Sequence, residues 1–172
     1  KLKGEQEAKA MPNHLIVRTN FYGWSSGRKR TFAEWLWNSL EQKTPITLFD
    51  DFFYTPIYVA DLVERLEKLL LSEQRGLFHL PGADRVSKYD FGKRLAELGG
   101  LSLEAVQPGS SSESGLAAQR GRELSLAGAH YEQTIKSKLP SLDEGLQRFL
   151  SHNGVALSKR WQAEVSSVRG TS

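Results

Sequence analysis

The residues best suited to hold a polar ligand gather where a short apolar run gives way to a glycine-bearing loop. Leu15, Ile16 and Val17 form the run, and RTNFYGWSSG, residues 18–27, follows it directly. So short and apolar a run fits a buried strand of a parallel sheet, and in open parallel sheets ligands bind beyond the carboxyl ends of the strands. Gly23 and Gly27 let the backbone turn closely there, although a plain strand-to-helix loop would use them too. A carboxamide such as that of Asn20 can donate to phosphate and accept from backbone at once. A turn-stabilising asparagine is the structural alternative.

Composition narrows the remaining chemistry. The chain has no cysteine, which excludes disulfides and thiolate metal sites, and His14, His79, His130 and His152 show no ligand spacing. No metal is expected. A net charge of +3 suits either a phosphate-bearing partner or a merely solvated surface. The basic run Arg28, Lys29, Arg30 is short and lacks interleaved aromatics, so nucleic acid is not an expected partner. No stretch reaches the roughly 18 apolar residues of a membrane span. The chain opens on Lys1 inside the helix-like segment KLKGEQEAKA, so the expectation is a true N-terminus further upstream, with targeting not legible.

The elements that must position such a loop are organised around residues 49–71, FDDFFYTPIYVADLVERLEKLLL. Pro56 biases Thr55 to extended backbone, so residues 52–58 should cross the domain before a helix starts at Val59. Val59, Leu62, Val63, Leu66, Leu69 and Leu70 recur at helical spacing and predict the buried stripe, with the pairs Asp61/Arg65 and Glu64/Lys68 on the outer face. Strands are expected over 14–19, 46–49 and 76–80. Thr31/Glu34, Ser87/Asp90 and Ser141/Glu144 mark the starts of three more helices, each such cap worth about 1 kcal/mol. PGSSSESG, residues 108–115, reads as a mobile loop, and 153–172 as a frayed tail. The 172 residues predict a single compact domain over 1–150, followed by a flexible tail over 151–172.

Six segments, KLKGE at 1–5, IVRTNFYG at 16–23, TPIYVADL at 55–62, GLFHLPG at 76–82, SKYDFGKRLAE at 87–97 and RGRELSL at 120–126, occur in an order that resembles a known family. The chain is similar to the C-terminal half of the extended short-chain dehydrogenase/reductase family, in its dTDP-4-dehydrorhamnose reductase-like branch of sugar-nucleotide reductases. The resemblance implies an α/β fold: the C-terminal part of a Rossmann-type doubly wound parallel sheet plus a small α/β substrate-binding lobe. It also implies NAD or NADP as cofactor, a nucleotide-sugar substrate, a cytoplasmic location and a missing N-terminal Rossmann half. A homodimer is compatible with it.

Residue by residue, Lys1 resembles the lysine of the family's Tyr-x-x-x-Lys pair. Its ammonium would hold the nicotinamide ribose and favour the phenolate of a tyrosine four positions upstream, outside these residues. Thr19 and Asn20 fall on the cofactor side. Asn20 matches the asparagine of an Asn-x-Tyr-Gly signature, in a loop one residue shorter here, and would also touch the substrate diphosphate. Arg120 matches the arginine of an Arg-Pro-x-x-x-x-Leu signature, with Gly121 for the proline and Leu126 as the leucine. Its planar fork suits a diphosphate. Ala127 and the pair Ala129 and His130 replace an Asp and a Lys that often follow. Trp24 would stack on the base, whereas Trp35 and Trp37 suit packing. His79 suits a structural role, Arg122 a solvated one, and Asp61 dipole stabilisation at its helix start. By itself this portion should be inactive. A rival reading is a non-catalytic subunit of the same fold, like the regulatory subunit of methionine adenosyltransferase, that binds a sugar nucleotide or NADP.

Overall fold

The structure is a computed structural model and describes residues 1–25, 29–113 and 121–152. Six helices and eight short strands alternate along them: α1 Leu2–Lys9, β1 Leu15–Arg18, β2 Phe21–Tyr22, α2 Phe32–Glu41, β3 Ile46–Phe49, β4 Phe53–Tyr54, β5 Ile57–Tyr58, α3 Val59–Leu71, β6 Gly76–His79, β7 Val86–Ser87, α4 Lys88–Gly99, β8 Val106–Gly109, α5 Ala129–Ile135 and α6 Leu142–Ser151. The strands pair two by two, β1 with β6, β2 with β5 and β3 with β8 in parallel, and β4 with β7 antiparallel. Parallel partners need long crossovers, which α2, α3 and α4 provide.

The three predicted capping boxes are present, at Thr31/Glu34, Ser87/Asp90 and Ser141/Glu144. Each satisfies two otherwise orphaned donors of the first helical turn, so these helix starts are written locally. Pro56 separates β4 from β5, and the extended crossing expected over 52–58 is built as those two strands, one in each of two separate pairings. Gly82 is needed close by: a Cβ there would overlap the carbonyl oxygen of Pro56.

Two apolar clusters hold the elements together. The larger joins α2, α4 and α6 through Leu36, Leu40, Phe91, Leu95, Leu146 and Phe149, with Tyr22, Leu48, Tyr54 and Tyr58 contributed by strands. The smaller sets Leu69 of α3 and Tyr131 of α5 against Phe78 and Leu80.

Several expectations need correction. Residues 108 and 109 are not loop: Pro108 and Gly109 end β8, paired with Leu48 and Phe49 of β3. Proline is tolerated there because β8 has only one neighbour among the described strands, and its missing donor can face away from the ladder. Ser111–Glu113 then forms a 3-10 turn, pinned by Asp51 accepting from Ser110 Oγ at 2.7 Å and Ser111 N at 2.7 Å. The rest of that predicted loop, 114–115, and the predicted tail over 153–172 lie outside the described residues. On α3 the apolar stripe is narrower than predicted, for Val63 and Leu70 are exposed while Leu69 is fully buried. Asp61 is not on an outer face. It is 2 % exposed, beneath Arg148 of α6 and 3.4 Å from Arg65.

Candidate functional site

The site is assembled at the carboxyl end of β1, where backbone leaves the ladder and side chains take over its hydrogen bonding. Thr19 Oγ1 donates to the Leu80 carbonyl at 2.8 Å, continuing the line that Leu80 N makes to Arg18 O at 2.9 Å. Asn20 acts in both directions. Its carbonyl accepts from Ile57 N at 2.9 Å and its Nδ2 donates to Leu124 O at 2.8 Å, so β5 and the stretch after residue 120 are both tied to it. That stretch is anchored further: Phe53 N donates to Arg122 O at 2.8 Å, Leu124 N to Phe53 O at 2.9 Å, and Leu126 N to Thr55 Oγ1 at 3.0 Å.

α1 is brought to the same end by an ion pair. The Arg18 guanidinium forks onto Glu5 at 2.9 and 2.6 Å, and the hydrogen bond from Arg18 holds the Glu5 carboxyl below its usual range. Glu5 N in turn donates to Lys1 O at 3.1 Å, one helical turn away. Lys1 therefore sits on the turn of α1 that Arg18 grips. It is exposed and forms no ion pair with a described residue.

Trp24 lies half-buried with its indole ring stacked on Phe149, centroids 4.2 Å apart and planes 7° apart, and its Nε1 donates to Phe149 O at 2.8 Å. One face of the indole is thereby used by α6. Arg120, with Ser26, Gly27 and Arg28, falls outside the described residues, which resume at Gly121. Geometry thus gathers Lys1, Thr19, Asn20 and the segment that follows Arg120 around one strand end. Phe21 was not singled out from sequence, yet it is 63 % exposed between Asn20 and the buried Tyr22, and Leu124, which accepts from Asn20, is exposed as well. Period-two alternation along β2 was the available signal.

The family model for the RmlD substrate binding domain matches residues 1–154. The chain belongs to that family. It is 25 % identical over 150 residues to a probable low-salt glycan biosynthesis reductase, Agl14, of Haloferax volcanii, covering 85 % of this chain and 50 % of that protein. The dTDP-4-dehydrorhamnose reductase of Bacillus anthracis, crystallised with NADP, superimposes with a TM-score of 0.81 at 28 % identity, over 89 % of this chain and 54 % of that one. Its counterpart from Clostridium acetobutylicum gives a TM-score of 0.78 at 26 % identity, over 88 % and 53 %. The chain spans about half the length of the relatives it matches. The mixed α/β architecture with parallel strand pairs is that of these Rossmann-like reductases.

Around the site this RmlD-type domain carries further charges. Arg122 is largely solvated, its guanidinium 3.6 Å from Asp51. Arg85 lies 3.8 Å above the Phe53 ring and forks onto Glu123 at 3.0 and 2.5 Å. Those bonds, with lesser ones from Ser125, pull the Glu123 carboxyl down to about 2. A depressed carboxylate contributes stability that is complete above its unfolded pKa, near 4.3, and is lost as pH falls through about 2. Glu123→Gln should therefore be less stable than the parent at pH 6, with the gap narrowing from about pH 4 downward and closing only below pH 2, read from urea midpoints; a gap that stays constant from pH 6 to pH 2 would contradict this.

Proposed function

We propose that this chain is the substrate-binding part of an NAD(P)-dependent reductase acting on a nucleotide-linked keto-sugar, of the dTDP-4-dehydrorhamnose reductase type. The observation that carries the reading is the double attachment at the end of β1: Arg18 to Glu5 on the Lys1 side, and Asn20 to Leu124 on the Arg120 side. The dinucleotide-binding half, with its phosphate-cradling turn, would come from outside these residues and complete the cleft; the unburied face of α1 agrees with that. We assign residues 1–150 to the C-terminal half of such a reductase, the end of its Rossmann sheet plus the substrate-binding lobe, and 151–172 to a tail whose first residue, Ser151, still belongs to α6, and place the activity in the cytoplasm.

The residues present suit the nicotinamide end of a dinucleotide. Lys1 offers an ammonium with no ion pair among the described residues, Asn20 keeps a second amide hydrogen beyond the one given to Leu124, and Phe21 presents an exposed ring next to it. The nicotinamide, when bound, supplies the hydride for the keto carbon. Lys1 would orient the ribose and, with a tyrosine four positions upstream, would favour the phenolate that exchanges a proton with the substrate oxygen. Thr19, fixed to Leu80, holds the loop's first residue still. Asn20 would orient the diphosphate, Arg120 would pair with it, and Trp24 would stack on the base.

The full-length protein should consume NADPH or NADH, read as lost absorbance, when given a dTDP-linked 4-keto-sugar. Asn20→Ala should weaken substrate binding roughly tenfold, the worth of one charge-assisted hydrogen bond. If neither cofactor absorbance nor melting temperature responds to nucleotide sugars, the reading is wrong. Gly121 in place of the signature proline favours the second reading, a non-catalytic binding subunit. That reading requires a melting shift with nucleotide but no turnover, and a residue other than tyrosine four positions before Lys1.

A further inference from the structure

Glu5 stands one helical turn after Lys1, its amide bonded to the Lys1 carbonyl at 3.1 Å, so the two side chains leave α1 on the same side. An acid and a base four positions apart on a helix ordinarily pair. Here they do not. Both carboxylate oxygens of Glu5 are taken by Arg18, Oε1 by Nε at 2.9 Å and Oε2 by a terminal guanidinium nitrogen at 2.6 Å, and among the described residues no ion pair reaches Lys1. α1 buries none of its own residues, and among the described residues this fork is the only side-chain hydrogen bonding that joins it to the rest of the chain. Arg18, not packing, sets where Glu5 points.

Arg18 is itself held. Its carbonyl accepts from Leu80 N at 2.9 Å and it is paired in register with His79 of β6, so the guanidinium projects from a fixed strand end. The residue type matters as well, because a planar fork satisfies both carboxylate oxygens at once, whereas an ammonium acts as a point charge.

We propose that Arg18 is a positioning residue that withholds Glu5 from Lys1 and so leaves the Lys1 ammonium free for the ribose of the dinucleotide. The inference rests on the reductase reading and deepens it. Without Arg18 the released carboxylate turns to its helical neighbours Lys1 and Lys9, four positions to either side. The share that goes to Lys1 draws the ammonium off the ribose, and the bare negative charge opposes the cofactor phosphates. Lys9 takes the rest, which keeps the effect to a few-fold.

The test is the affinity of the full-length protein for NADPH or NADH, whichever the parent binds, read from cofactor fluorescence beside the melting temperature. Arg18→Gln should raise the Kd about fivefold, the upper end for an exposed ion pair of good bidentate geometry. Adding Glu5→Gln should return the Kd to within about twofold of the parent, because no carboxylate is left to compete. Melting temperatures of the single and double variants should be lowered alike, since neither can form the fork. If the fork merely fastens α1, the double variant binds no better than the single one; that result overturns the proposal and leaves the reductase reading standing. A parent that binds neither cofactor overturns both.

Discussion

Phe149→Ala is expected to remove about 4 kcal/mol of stability, in the range for deleting a fully buried aromatic side chain. Phe149 has no exposed surface and is the ring on which the larger core turns. Trp24 stacks on it, Tyr58 meets it edge-on at 6.1 Å and 84°, and Tyr22 is tilted against it at 6.0 Å. The surrounding tyrosines are held by backbone in β2 and β5, so they cannot collapse into the space, and the cavity term stays large. Urea unfolding should show the midpoint shifted with an unchanged slope. A loss under about 1.5 kcal/mol would mean that the site collapses freely and that Phe149 does not organise this core. On the proposed role of Trp24 in stacking on the base, the loss of its own stacking partner should weaken nucleotide binding along with stability.

Arg148→Met should destabilise by about 3 kcal/mol, the scale for removing one partner of a buried ion pair. Asp61 on α3 is almost wholly buried, and its Oδ1 is shared by Arg148 and Arg65 while Oδ2 finds no partner among the described residues. Arg148 also reaches Glu64 at 2.7 Å, so one side chain of α6 fastens two acids of α3. Together with Glu144 they line a groove of about 520 Å³ between the two helices, where the charges satisfy one another. Without Arg148, Arg65 at 3.4 Å is the remaining counter-charge for Asp61. The double variant Asp61→Asn, Arg148→Met should recover most of the loss, since it leaves no uncompensated buried charge. A single variant that unfolds at the parental urea concentration would show the pair to be neutral in net effect.

Much of the local architecture was legible beforehand because it is encoded by neighbours in the chain. A cap needs a hydroxyl and a carboxylate three residues apart, and all three boxes formed where that spacing occurs. Pro56 likewise forced the break between β4 and β5. β8 was missed because Pro108 and Gly109 carry no strand propensity of their own; pairing with β3 alone makes them a strand. α5 was missed too. Its helix buries one large residue, Tyr131, against Phe78 and Leu80, so seven residues show too little periodicity.

The candidate site was legible as a place rather than as a geometry. Residues 18–27 stood out because an apolar strand ended in a glycine-bearing loop, and the resemblance to sugar-nucleotide reductases added Lys1 and Arg120. That Asp61 would turn inward was not readable, since a carboxylate at a helix start is equally suited to water until Arg148, 87 positions away, arrives to pair with it.

The helix caps and breaks, the helices and strands apart from β8 and α5, and the family itself are properties of the amino-acid sequence, because each rests on residues within a few positions of one another or on motifs kept in order. Tertiary structure alone decided that Asn20 clasps Leu124 and that Arg18 draws α1 to the end of β1. Those contacts join residues 13 to 104 positions apart, and short-range spacing carries no information about which distant surface a side chain will meet.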